Sequence, residues 1–240
     1  MTICGVLFDK DDTLIDLASF WREPVQRTAF YMLQCCNREW DTKLAQKMAC
    51  AAGFEHGILR QASPVVAGTN WDVVNACARE MTAMGLPMRE DLLEMSVHYL
   101  EYACLHWGKV VGKADFQTML PLLINRGLQL GIATSDQHDS TIHCLQALGI
   151  EQYFDMVLTA DRVRLPKPEP EMARIFCRKF QIAPERVAMV GDSGNDMLFA
   201  KNSGLTGIFF RQLPSTPVPE NAQYVLSDLN QLPTLLEQIS

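Results

Sequence analysis

The sequence predicts an α/β protein: a parallel sheet covered by helices, with an all-helical domain inserted after the first strand. Three observations lead there. Short continuous apolar runs recur along the chain, as strands buried on both faces of a parallel sheet require. From about residue 115 onward these runs alternate with helical segments, the pattern of a sheet flanked by helices. Between about 17 and 113 the pattern is helical and no convincing strand stands out.

In chain order, ICGVLF (3–8) is the first strand and ends at Asp9. Four helices follow, over about 18–36, 42–53, 71–85 and 89–108. Leu93, Val97, Leu100, Cys104 and Trp107 recur at helical spacing, as do Trp71, Val74, Ala78 and Met81, and both stripes read as bundle core. The later strands are LQLGIAT (128–134), FDMVLTA (154–160), VAMVGD (187–192) and TGIFF (206–210), with YVLSD (224–228) as a last, edge strand. Helices over about 138–148, 168–180 and 195–203 lie between them. Gly149 and Gly204 stand where the first and third of these should stop. The expected domains are a core of 1–16 with 114–240 and a helical insert of 17–113.

Composition excludes several classes. The net charge is −7 and no basic run offsets it, which argues against a nucleic-acid surface. The eight cysteines form no C-x-x-C pair and read as reduced core thiols in a reducing compartment. There is no basic N-terminal region leading into an apolar stretch, and no run of about 18 apolar residues. A soluble cytoplasmic protein without a membrane partner is the expectation. Nothing in the pattern reads out an oligomeric state.

The chemistry gathers at the strand ends. Ligands of open parallel sheets bind at the carboxyl ends of the strands. There the first strand offers Asp9, Lys10, Asp11 and Asp12, within FDKDDTL. The second offers Thr134, Ser135 and Asp136. The fourth offers Asp192 and Asp196, within GDSGND. LPKPEP sets Lys167 between two prolines. Taken singly, the threonine is a turn residue, the lysine is exposed, and GDSGND is a turn with a helix cap. Together and in this order they make a site. Crowded carboxylates repel, and a hard divalent cation relieves them; magnesium takes oxygen ligands and usually shares them with a substrate phosphate. Lys167, the Thr134 hydroxyl and the N–H groups of the 9–12 loop supply donors for phosphate oxygens. One carboxylate serves as nucleophile and a second carboxyl group transfers the proton.

These motifs, FDKDDTL, IATS, LPKPEP and VGDSGND, resemble those of the haloacid dehalogenase superfamily of phosphohydrolases, in that family's order. The resemblance implies a Rossmann-like core with a helical cap of the C1 type. It implies that Asp9 is the nucleophile and forms a phosphoaspartyl intermediate. Asp11 would protonate the leaving oxygen and then activate water. Thr134 would hold a phosphate oxygen with the Ser135 backbone, and Lys167 would neutralise Asp9 and the phosphate. Mg2+ would be held by Asp9, the Asp11 carbonyl and Asp192, with Asp196 nearby. Position 12 departs from the pattern: it is most often glycine in the family. Asp12 either hydrogen-bonds within the loop or sits beside the metal.

An acid at position 11 favours phosphoryl transfer over dehalogenation, since a halide leaves without a proton. The expected function is a magnesium-dependent phosphatase acting on a small phosphorylated metabolite. The segment SPVVAGT (63–69) is similar to one in phosphoglycolate-phosphatase-like members, so 2-phosphoglycolate is the named candidate. A phosphomutase of the beta-phosphoglucomutase kind and a silent phospho-ligand-binding protein are the alternatives. Arg60, the one cation in the loop-rich segment 53–69, is the expected substrate contact of the cap.

Overall fold

The structure, a computed structural model, describes residues 2–38 and 40–239. In chain order it contains β1 (Gly5–Phe8), α1 (Leu17–Gln34), α2 (Thr42–Ala52), β2 (Phe54–Glu55), β3 (Ile58–Leu59), α3 (Pro64–Ala67), α4 (Asn70–Ala83), α5 (Glu90–Trp107) and α6 (Phe116–Ile124). Then come β4 (Gln129–Ala133), α7 (His138–Ala147), β5 (Met156–Leu158), α8 (Glu171–Phe180), β6 (Val187–Gly191), α9 (Gly194–Ser203), β7 (Thr206–Phe210), β8 (Tyr224–Leu226) and α10 (Leu232–Gln238). The chain divides into two compact units, Met1–Asp16 with Val111–Ser240 and Leu17–Val110. The return to the first unit thus falls after Val110 rather than after 113.

The first unit is built on one six-stranded sheet in the order β5-β4-β1-β6-β7-β8, every pair parallel. Both faces are covered, which is why the strands are continuous apolar runs. On one face Leu7, Ala133, Val187 and Met189 pack with Met172, Ala173 and Phe176 of α8 and Phe199 and Ala200 of α9. On the other, Val6, Phe8, Leu130, Ile132, Ala188 and Val190 are fully buried. The Phe176 ring lies directly on the backbone of β1 and β4: a Cβ at Gly5 or Gly131 would come within 2.8 Å of it. Glycine at those two positions seats α8 close to the sheet, and with it the loop that carries Lys167.

Where the chain leaves and re-enters this unit, the two segments are stitched together. Asp16 N–H donates to Val111 O at 2.9 Å, Lys113 N–H to Leu14 O at 3.0 Å, and Ile15 bridges Gly112.

In the second unit α1 packs on α5 and α2 on α4. Val74, Ala78, Met81, Val97, Leu100 and Cys104 are buried as their spacing predicts, but Trp71 is 44% exposed. The expectation of no strand in this segment is corrected: β2 and β3 form a short antiparallel hairpin, held to α1 by Arg22 Nη2 donating to Gly57 O at 2.8 Å. Two-residue strands are too short to show period-2 alternation. No disulfide joins the cysteines among the described residues. Only Cys77, Cys104 and Cys144 are buried, however, and Cys35 is exposed, so the core-thiol reading holds for part of the set. No helix among the described residues is long and apolar enough to cross a membrane.

Candidate active site

The order of the sheet reverses direction at β1, whose neighbours are β4 and β6. A crevice opens at such a switch point, beyond the carboxyl ends of the strands. Asp9, Thr134 and Asp192 each stand one residue past the end of β1, β4 and β6. Asp9 is 7% exposed, and its N–H continues the ladder to Val190 O at 2.9 Å.

Lys167 reaches into the same place. Its Nζ lies 2.7 Å from Asp9 Oδ1 and 2.6 Å from Asp196 Oδ1. Burial alone would push this ammonium's pKa down, but Asp196 and Asp9 outweigh it and hold the group firmly protonated. Asp196 is fixed by local chemistry. Ser193 is the N-cap of α9, and its hydroxyl accepts from Asp196 N–H while donating to Asp196 Oδ2 at 2.6 Å. Ser193 N–H also donates to Asp196 Oδ2 at 3.1 Å, and with the Asp196 N–H bond to the Ser193 hydroxyl it makes the capping box. Asp196 also leans on Gly191, where a Cβ would lie 2.4 Å from its Cγ.

One carboxylate oxygen from each of Asp9, Asp192 and Asp196 falls within 4.8 Å of the others. Burial, with Asp196 and Asp11 nearby, pushes Asp9 up to about 7 despite Lys167. Burial, then Asp9 and Asp196, pushes Asp192 up to about 9, and Thr13 Oγ1 reaches it only at 3.4 Å. One buried lysine thus faces three carboxylates. An all-oxygen donor set with surplus negative charge fits a hard divalent cation.

Asp11 faces a different lysine. Lys10 is 1% exposed, and its Nζ pairs with Asp11 Oδ1 and, at 3.0 Å, with Asp136 Oδ2. Burial raises the Asp11 carboxyl although Lys10 opposes it. Asp9 and Asp11 thus pair with separate cations, Lys167 and Lys10. Thr134 is buried, and its Oγ1 accepts from Asp136 N–H at 3.1 Å, which leaves the hydroxyl proton to donate elsewhere. Ser135 beside it is exposed.

Asp12 has φ 56°, the left-handed region that favours glycine and that aspartate tolerates. Its carboxylate lies 3.1 Å from Lys113 Nζ, and its carbonyl accepts from Gln212 Nε2 at 2.6 Å. Lys113 also donates to Gln212 Oε1 at 2.5 Å and lies 3.4 Å from Asp16. The partners of Asp12 thus come from outside the loop, Lys113 and Gln212, and its charge also acts on Asp192.

The structure brings together Asp9, Asp192, Asp196 and Lys167, with Asp11, Thr134 and Ser135 on the adjoining strand ends. Arg60 belongs to the other unit. There its Nη2 donates to Cys50 O at 2.7 Å and its Nε lies 3.8 Å from Glu55. Sequence reasoning gave no role to Lys10, Thr13, Asp136, Lys113 or Gln212. The one available signal was Lys10, a cation set between two acids within the first motif.

Fold and site together define a class, the doubly wound α/β proteins with a carboxylate-centred site at the switch point. The chain belongs to the haloacid dehalogenase-like hydrolases, whose family model matches residues 3–204. It is 42% identical over 89 residues to the probable phosphatase IndB of Dickeya dadantii (strain 3937), a match covering 37% of this chain and 39% of that protein. The chain thus spans less than half of that relative's length. It is 35% identical over 213 residues to the phosphoglycolate phosphatase of Escherichia coli O157:H7, covering 86% of this chain and 80% of the other. Among solved structures, a predicted phosphoglycolate phosphatase from Haemophilus somnus 129pt superposes with a TM-score of 0.71 at 17% identity, over 98% of each chain. That likeness concerns the fold.

Proposed function

We propose that this protein is a magnesium-dependent phosphatase that hydrolyses a small phosphorylated metabolite through a phosphoaspartyl intermediate. The observation that carries the reading is the buried Asp9–Lys167 pair with Asp192 and Asp196 alongside and Asp11 two residues on. Lys167 holds Asp9 through Oδ1, so Oδ2 is the oxygen that attacks phosphorus. As the Oδ2–P bond forms, the ester P–O bond breaks, and the leaving oxygen takes the proton of the Asp11 carboxyl. Burial favours the protonated form that this step needs. In the second half Asp11, now a carboxylate, takes a proton from water as the water oxygen attacks phosphorus. The P–Oδ2 bond breaks, and Asp9 and inorganic phosphate are released. Lys167, the Thr134 hydroxyl and the Ser135 N–H hold the phosphoryl oxygens. Asp9, the Asp11 carbonyl and Asp192, with Asp196 nearby, would hold Mg2+. When bound, the cation offsets the negative charge of the carboxylates and the phosphoryl group.

2-Phosphoglycolate is the favoured substrate, supported by the similarity to the Escherichia coli O157:H7 phosphatase. The test is phosphate release from a panel of metabolites, including 2-phosphoglycolate and pyrophosphate, with Mg2+ and after chelation. No release from any ester in the presence of Mg2+, or undiminished release in excess EDTA, would sink the proposal. Isomerised sugar phosphate in place of free phosphate would mark a phosphomutase.

A further inference from the structure

Lys10 is among the largest fully buried side chains of the protein, yet the mechanism above does not use it. Burying an ammonium is costly unless carboxylates and hydrogen bonds compensate it. Two carboxylates do so here, and they come from different strand ends. Asp11 follows β1 and Asp136 follows β4.

Asp136 is in turn tied to the phosphate-binding turn. Its N–H donates to Thr134 Oγ1, its Oδ1 accepts from Gln137 N–H at 2.7 Å, and its carbonyl accepts from Ala160 N–H at 3.1 Å. The Lys10 ammonium is therefore a fixed post between a carboxyl that must reach the leaving oxygen and a turn that must grip the phosphoryl group.

We propose that Lys10 is a positioning residue that, through its paired contacts with Asp11 and Asp136, sets the proton-donating carboxyl in register with the phosphate-binding turn. This rests on the phosphoaspartyl reading, in which Asp11 protonates the leaving group. A lysine that only fills space would affect all esters alike. One that aims a proton donor matters in proportion to how badly the leaving group needs its proton.

Phenyl phosphate and 2,4-dinitrophenyl phosphate separate the cases. They have similar shape, but dinitrophenolate leaves unaided and phenolate does not. The readout is kcat/KM with Mg2+, which reports steps up to release of the phenol, alongside a circular dichroism melt for each variant. Lys10→Met should lower kcat/KM for phenyl phosphate by roughly 10- to 100-fold, within the range of a proton-transfer contribution. For dinitrophenyl phosphate it should fall only a few-fold. Asp136→Asn keeps the volume and removes one of the two anchors; it should show the same selectivity at smaller amplitude. It also decides the matter if Lys10→Met does not fold.

Asp11→Asn is the control for the underlying reading. If it fails to discriminate between the two esters, Asp11 is not the proton donor and the parent mechanism falls. If Asp11→Asn discriminates but Lys10→Met and Asp136→Asn lower both esters equally, or neither, the positioning role of Lys10 is overturned and the parent mechanism stands.

Discussion

Mg2+ should bind this protein more tightly as the pH rises from 6 to 9. Asp9 and Asp192, two of the three carboxylates that would hold the cation, are pushed up to about 7 and about 9, chiefly by burial. Below those values they carry protons that a cation must displace. One pKa unit is worth about 1.36 kcal/mol, so each displaced proton tightens the apparent affinity by up to about tenfold per pH unit. Between pH 7 and 9 the Asp192 proton dominates, and the gain should approach about 100-fold. Stability follows with a definite sign. Both carboxyls have folded-state pKa values above the ordinary 3.8, so the metal-free folded chain holds more protons than the unfolded one. Their contribution is therefore greatest at low pH. It is lost as the pH rises to about 7 for Asp9 and to about 9 for Asp192. Mg2+ should offset part of that loss. At 100 times its Kd it adds about 2.7 kcal/mol, or roughly 5–10 °C in Tm for a chain of this size. Calorimetric titrations and thermal melts at pH 6, 7.5 and 9, with Mg2+ and with EDTA, measure both effects. An affinity that is flat or falls with pH, or a thermal shift that survives in Asp192→Ala, would refute the reasoning.

Three substitutions test the rest of the site. Asp9→Asn should lower phosphate release by at least about three orders of magnitude while the circular dichroism spectrum is unchanged, because no other group can take over covalent attack. Lys167→Met leaves Asp9 and Asp196 facing each other without their cation. It should cost about 3–5 kcal/mol of metal-free stability at neutral pH, by denaturant titration. Gly191→Ala drives a methyl into Asp196 at 2.4 Å from its Cγ; it should destabilise by about 1–3 kcal/mol and weaken Mg2+ binding in the same titration.

The parallel sheet was legible because its strands are buried on both faces. ICGVLF and VAMVGD are apolar without a break until the residue where each meets the crevice, so a strand end and a site residue are the same event in the sequence. Asp9, Thr134 and Asp192 were found that way. Other parts were hidden for physical reasons. Lys10 took no role from the sequence; only three dimensions show it enclosed by Asp11 and Asp136. The brace on Asp12 comes from Lys113 and Gln212, and no local pattern links residues so far apart. The helix at Phe116–Ile124 has Pro121 inside it, and Leu232–Gln238 is only two turns long, so neither shows a clean helical period. Arg60 stood out as a lone cation in a glycine-containing loop, and its neighbours in the fold are Cys50 O and Glu55.

The stitching of Leu14–Asp16 to Val111–Lys113 bears on how such a protein can be recombined. Asp16 and Val111 are one hydrogen bond apart, and the bonds that fasten them lie wholly within the sheet-bearing unit. Closing that gap therefore asks little of the intervening 94 residues, Leu17–Val110. A few glycines and serines would span it. The helical portion is then an exchangeable cassette between two adjacent joints, open to deletion, swapping or grafting without re-threading the sheet. The Asp12–Lys113–Asp16 contacts lie beside those joints, and they also brace the turn bearing Asp9 and Asp11. A successful exchange would have to keep Lys113 even if it replaced every residue between the two joints.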